Sequence, residues 1–174
     1  VVHKGKTIFV ADTSVHEYPS SEQMSEIAIS AARVVRLFGF DPKVAFVSHS
    51  TFGQPMTSRT KHIKKAVDIL KEKKVDFEFD GDMQPDVALN KEYKNLYPFS
   101  NIVGNANILI MPGQHSAAIS YKMMKELGDT KVIGPLLIGL GLPIEIAPLR
   151  TSTSELINLA SIAAYSADVI DYKK

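Results

Sequence analysis

The chain has 174 residues, 45 % of them hydrophobic, which suffices for one domain with a single sizeable core. Its 20 Lys and Arg against 19 Asp and Glu leave a net charge of +1, which argues against nucleic acid or an anionic membrane as the main partner. Cysteine is absent, so disulfides, cysteine-based zinc sites and a cysteine nucleophile are excluded, and a reducing cytosol fits.

No initiator Met opens the chain, so it reads as a piece of a longer protein; no charged segment with a cleavage site precedes its first strand, so no signal peptide is expected in these residues. TIFVAD (Thr7 to Asp12) is β-branched and aromatic, a buried strand. Ser20 and Gln23 have the spacing of a capping box. Met24, Ile27, Ala31, Val34, Val35 and Phe38 then recur at helical spacing, and Gly39 supplies the stop. KVAFVS (Lys43 to Ser48) is a second strand, followed by the polar loop HSTFGQP and a helix from about Arg59 to Lys74. Ile63, Ala66, Val67 and Leu70 are the core stripe of that helix, and its other face is lysine-rich. FEFDGD predicts a short strand and a turn, with a brief helix from Val87 to Tyr93. ANILIM (Ala106 to Met111) is a third clear strand, followed by PGQH and a helix from about Ser116 to Leu127.

The apolar run KVIGPLLIGLGLPI is broken by Gly134, Pro135, Gly139, Gly141 and Pro143, too short and too interrupted for a membrane span. PIEIA predicts a last short strand, and a closing helix spans about Thr153 to Val169. Strands alternating with helices imply an α/β fold with a mostly parallel sheet.

In such a sheet, ligands sit beyond the carboxyl ends of the strands, near helix N-termini. Three loops have suitable chemistry. SHSTFG offers the hydroxyls of Ser48, Ser50 and Thr51 beside His49, with Gly53 permitting close backbone approach to a ligand; a polar turn is the alternative. In MPGQHSAAIS, Pro112 and Gly113 turn the chain and leave N–H groups at a helix start, an anion seat, with His115 a helix-entry residue rather than a base. In IAPLRTSTSEL, Arg150 stands ahead of a helix N-terminus, where the macrodipole disfavours a cation. That placement points to an anionic partner, against the alternative of a plain surface arginine. Glu155 lies three residues after Ser152, the spacing of a capping box, so its carboxylate has structural work there.

The five histidines show no HxxxH or HExxH pairing, so a zinc site is not expected. Asp80-Gly81-Asp82 reads as a turn rather than a cation site, and the helix lysines as a solvated face rather than a polyphosphate grip. Neither a GxGxxG fingerprint nor a carboxylate set for a divalent metal occurs.

Taken together, FVADTSVHEYPSSEQMSEIA, PKVAFVSHSTFGQP, FEFDGDMQPDVALN, YPFSNIVGNANILIMPGQHSAAIS, VIGPLLIGL and PIEIAPLRTSTSELINLASIAAY resemble the phosphate acetyl/butyryltransferase family over almost the whole length. IMPGQHSAAIS and IAPL are most similar to the phosphotransacetylase-like domain at the C-terminus of bacterial NADP-dependent malic enzymes. The resemblance implies a three-layer α/β/α fold like that of isocitrate and isopropylmalate dehydrogenases. Residues 1–174 would form its second domain, with 151–174 a C-terminal helix returning toward a missing first domain. It also implies self-association as a dimer or higher homo-oligomer, acetyl-CoA or a related acyl-CoA as ligand, and NADP and a divalent metal in the missing malic-enzyme part, not in this chain.

By the same resemblance, Arg150 aligns with the arginine of a Ser-Arg-Gly motif that holds CoA, with Leu149 and Thr151 at its serine and glycine positions. The catalytic aspartate of active transferases falls on Leu156, and a reactive-site cysteine of some members falls on Thr13. Ser48, Ser50 and Thr51 match a serine-rich loop near the acyl phosphate. A leucine cannot abstract a proton, and loss of a general base typically removes about 10²–10⁴-fold in rate. The expectation is therefore a regulatory, oligomerising module that binds acetyl-CoA without transfer, with no catalytic residue and no metal ligand in this chain. The alternatives are half of an active phosphate acetyltransferase, or a dimerisation scaffold alone.

Overall fold

The computed structural model describes residues 1–140 and 142–169, the side chain of Lys94 aside; residues 170–174 of the expected C-terminal segment, and the chain-breaking Gly141, lie outside the described residues. The chain opens with a hairpin that the sequence did not announce. Strands β1 (Val2–His3) and β2 (Lys6–Thr7) pair antiparallel across Lys4 and Gly5, both at positive φ (46° and 75°). The expected strand over Thr7 to Asp12 is therefore shortened to β3 (Phe9–Ala11), because the residues before it turn back on themselves.

The remaining elements follow in order: α1 (Ser21–Leu37), β4 (Lys43–Val47), α2 (Ser58–Glu72), β5 (Glu78–Met83), α3 (Pro85–Leu89), α4 (Lys91–Lys94), β6 (Ile108–Ile110), α5 (Gln114–Leu127), β7 (Thr130–Lys131) and α6 (Thr153–Val169). Strand β7 joins β1 in a small antiparallel sheet, and β3-β6-β4-β5 form an all-parallel central sheet.

Alternation along the central strands sorts the core onto two faces. Val44, Phe46, Ile108 and Ile110 pack with Met24, Ala28 and Val35 of α1 and Ile63 and Leu70 of α2. Ala45, Val47, Leu109 and Met111 pack on the opposite face with Val87 and Ala88 of α3 and Ala117 of α5. The architecture is thus three-layered α/β/α, with helices covering both faces of the sheet.

The capping box at α1 is present as read: Gln23 N–H donates to Ser20 Oγ at 3.1 Å, and Ser20 N–H to Gln23 Oε1 at 2.7 Å. Such a cap contributes about 1 kcal/mol. Gly39 ends the helix at φ 81°, its N–H donating to Arg36 O.

Two expectations are corrected. Asp80-Gly81-Asp82 is not a turn but lies within β5, both aspartates buried. Gly81 is needed there because a Cβ would lie 2.7 Å from Phe46 Cβ and 2.9 Å from Phe46 O. PIEIA forms no strand: Glu145 makes only an isolated bridge to Leu136, and Ile144 and Ile146 are both exposed, so its alternation has no buried face to fill. The brief helix from Val87 to Tyr93 becomes α3 and α4, broken where Asn90 leaves helical geometry and caps Glu92 N–H. Among the described residues no helix is long and apolar enough to cross a membrane.

Candidate functional site

The loops after β3, β6 and β4 meet at the carboxyl edge of the central sheet, in that spatial order. After β3, Asp12 organises its own loop. Its carboxyl accepts the N–H groups of Ser14 (2.8 Å), Val15 (3.0 Å) and His16 (2.9 Å), and His16 Nδ1 lies 2.8 Å from Oδ2. Burial pushes this carboxyl up, but the backbone donors and His16 together hold it below its ordinary value. Thr13 is half-buried beside it, its hydroxyl 3.5 Å from Ser14 Oγ. Asp12, Thr13 and His16 line a cleft of about 430 Å³ closed by Ile27 and residues 135–138. The Asp12–His16 pair was not anticipated; its signal is an acidic residue that ends a strand, with Ser two and His four positions on.

After β4, the hydroxyl loop turns largely inward. Ser50 is fully buried and donates to the Asp82 carboxylate, whose other oxygen accepts Gly53 N–H at 3.0 Å. Thr51 is also buried, and its Oγ1 accepts Gln84 N–H at 3.2 Å. Ser50 thus serves as a donor to a buried carboxylate, and Thr51 as an acceptor for the residue after β5, so both side chains are engaged in anchoring the loop. Ser48 is half-buried, 3.4 Å from the exposed His49 Nδ1, and remains the reachable hydroxyl of the three.

After β6, Gly113 is buried, and a Cβ there would lie 2.6 Å from Glu17 O. The expected anion seat is already taken at its first donor, since Gln114 N–H donates to the same Glu17 carbonyl at 3.1 Å. His115 is exposed at the start of α5, stacked on Tyr18 and 3.6 Å from Glu17 Oε1.

Arg150 is exposed over a cleft of about 580 Å³, with Lys122 and Lys125 of α5 and Glu155 of α6 among its lining. Among the described residues it makes no hydrogen bond or ion pair. Glu155 is fully occupied. Its Oε1 takes Lys125 Nζ at 2.9 Å, and its Oε2 takes Ser152 N–H at 2.7 Å and Ser152 Oγ at 2.8 Å. The Lys125 ammonium foremost, then Ser152, hold its carboxyl at about 2. A carboxyl so held stays ionised and is a poor proton acceptor at neutral pH. Glu126 is the cleft's other carboxylate. Leu149 is fully exposed and Leu156 half-exposed, neither offering a polar atom.

The cleft shares Tyr121 and residues 132–135 with an adjoining hollow of about 130 Å³ that reaches Thr13. Arg150 and Thr13 therefore line neighbouring cavities with these residues in common. Ser48 ends β4, two strands from β3, which is about 10 Å away at ordinary strand spacing. Among the described residues no group of three or more His, Asp or Glu is placed to hold a metal.

Fold and site together define a three-layer α/β domain with polar loops at its sheet edge and, among the described residues, an unpaired arginine over a cleft lined by charges of both signs. The family described as "Phosphate acetyl/butaryl transferase" matches residues 1–164, and the chain belongs to it. It is 49 % identical over 94 % of its length to an NADP-dependent malic enzyme of Rhizobium meliloti, covering 22 % of that protein. It is 34 % identical over 92 % of its length to a phosphate acetyltransferase of Clostridium acetobutylicum, covering 49 % of it. The EutD phosphotransacetylase from Staphylococcus aureus superposes with a TM-score of 0.86 at 28 % identity, over 95 % of this chain and 52 % of that one. A phosphotransacetylase from Streptococcus pyogenes gives 0.85 at 31 % identity, over 91 % and 49 %. The chain thus spans about a fifth of the malic-enzyme relative and about half of each transferase.

Proposed function

We propose that this chain is the regulatory, oligomerising phosphotransacetylase-like domain of a cytosolic NADP-dependent malic enzyme, and that it binds acetyl-CoA or a related acyl-CoA without transferring the acyl group. Oxidative decarboxylation of malate, with its NADP and divalent metal, belongs to the remainder of the longer protein. The carrying observation is Arg150: exposed, without a partner among the described residues and sharing its cleft with Lys122 and Lys125, while the Glu155 carboxylate of that cleft is locked into a cap. Lys125 is paired with Glu155, which leaves Arg150 and Lys122, against the one carboxylate of Glu126, to favour a phosphorylated ligand. A leucine at the position of the family's base, together with Glu155 held ionised by Lys125, disfavours deprotonation of a thiol.

The test is acetyl-CoA titration of the full-length protein by calorimetry, beside malate-oxidation kinetics and an assay for acetyl-CoA formation from acetyl phosphate and CoA. Saturable binding that shifts malate kinetics, with zero acyl transfer, is the expected result. Binding with turnover would instead make the domain half of an active transferase, with Glu126 or a group outside this chain as base. Absence of binding, with self-association intact by sedimentation, would leave only the scaffold reading.

A further inference from the structure

A second cavity, separate from the Arg150 cleft, holds two opposite charges that do not meet. It lies between α1, residues 136–140, residues 142–143 with Glu145, and α6, with a volume of about 360 Å³. Glu145 lines it from the loop, and its Oε2 is buried without a hydrogen-bond partner. Burial pushes this carboxyl up, with the Leu137 backbone N–H opposing only in part. Arg33 lines the same cavity from α1 and makes no hydrogen bond or ion pair among the described residues. Two charges facing one cavity would ordinarily close on each other; here they stay farther apart than an ion pair allows. The same cavity is lined by the aliphatic side chains of Ile138, Leu140 and Ile162, by Ser30 and Ser166, and by Tyr165, whose hydroxyl donates to Leu37 O at 2.9 Å.

A buried acceptor without a donor is rare in native proteins and marks a place where something else supplies the donor. Water alone would satisfy the Glu145 oxygen and the exposed Arg33 guanidinium but would leave the aliphatic side chains of the cavity uncovered. An occupant with a cationic nitrogen at one end, an anionic group at the other and a short carbon body satisfies all three.

We propose that this cavity binds a small aliphatic zwitterion, an α-amino acid in chemical class, with its ammonium on Glu145 and its carboxylate on Arg33. The proposal is independent of acyl-CoA binding at Arg150, because the two clefts share neither charged residue.

The experiment titrates the full-length protein with L-leucine, with 3-methylbutylamine, which lacks the carboxylate, and with 4-methylpentanoate, which lacks the ammonium. Binding is read by calorimetry and by shifts of the Ile138, Leu140 and Tyr165 resonances. Leucine should saturate below about 10 mM, and each single-charge analogue should bind at least about tenfold more weakly. Glu145→Gln and Arg33→Gln should each weaken leucine at least about tenfold with an unchanged melting temperature. Equal binding of either analogue, unaltered binding in either variant, or no saturable leucine binding in the wild type overturns the proposal. Should a variant fail to fold, the analogue series on the wild-type protein decides alone.

Discussion

Lys125 Nζ lies 2.9 Å from Glu155 Oε1, so the carboxylate that caps α6 also ties that helix to α5. The same contact occupies one of the two acidic side chains that share the cleft with Arg150. A single ion pair thereby fixes the cleft's wall and removes a candidate proton acceptor from it.

Acid stability follows from this pair and its counterpart. Glu155, through Lys125 and Ser152, and Glu22, through Lys65 at 2.7 Å, are both held at about 2 against an ordinary 4.5. A depressed carboxyl contributes stability that is complete above its unfolded pKa and is lost as pH falls through the folded one. The melting temperature is therefore expected to fall between about pH 4.5 and 2, and Glu155→Gln and Glu22→Gln should each flatten that decline. Both pairs are solvent-exposed, so the difference should shrink in high salt. An acid limb of equal steepness in wild type and variants would show that these pairs contribute nothing.

Much of this organisation was legible in the sequence. Helical spacing from Met24 to Phe38, and the Ser20 and Gln23 cap, are local signals that tertiary packing did not need to override. The hairpin at Lys4 and Gly5 escaped because two-residue strands carry too little periodicity to read. PIEIA misled because alternation marks a strand only where a neighbouring strand and a buried face receive it. At the site, residue type was informative but orientation was not. Ser48, Ser50 and Thr51 are equivalent in a sequence; the buried Asp82 turns Ser50 inward, and the Gln84 N–H engages Thr51.

Ser50→Ala should accordingly act on stability. It deletes the hydroxyl donor to one oxygen of a buried carboxylate and leaves Gly53 N–H on the other. A loss of about 1.5–3 kcal/mol is expected from urea unfolding, with little change in acyl-CoA affinity. A drop in affinity with unchanged stability would return Ser50 to the ligand.

Glycine substitutions separate crowding from backbone conformation. Gly113→Ala forces a Cβ to within 2.6 Å of the Glu17 backbone oxygen, and should cost about 1–3 kcal/mol while displacing the loop at Tyr18. Gly39→Ala meets nothing within 4 Å, yet φ is 81°, so about 1–2 kcal/mol is expected from conformation alone. Chemical denaturation measures both, and a perturbed Tyr18–His115 stack should accompany only the first.

Arg150 carries the functional reading, and its substitution is the sharpest test of it. Its guanidinium has no partner among the described residues, so removal should leave folding within about 0.5 kcal/mol of wild type. A charge-assisted hydrogen bond to a ligand phosphate is worth about 1.5–3 kcal/mol, so Arg150→Ala should weaken acetyl-CoA about 10- to 150-fold. Arg150→Lys should recover part of that loss, since an ammonium keeps the charge but not the planar fork. Lys122→Ala should cost less, and both effects should diminish with added salt as exposed charges are screened. Wild-type affinity in Arg150→Ala would move any acyl-CoA site elsewhere, and with it the regulatory role proposed for this cleft.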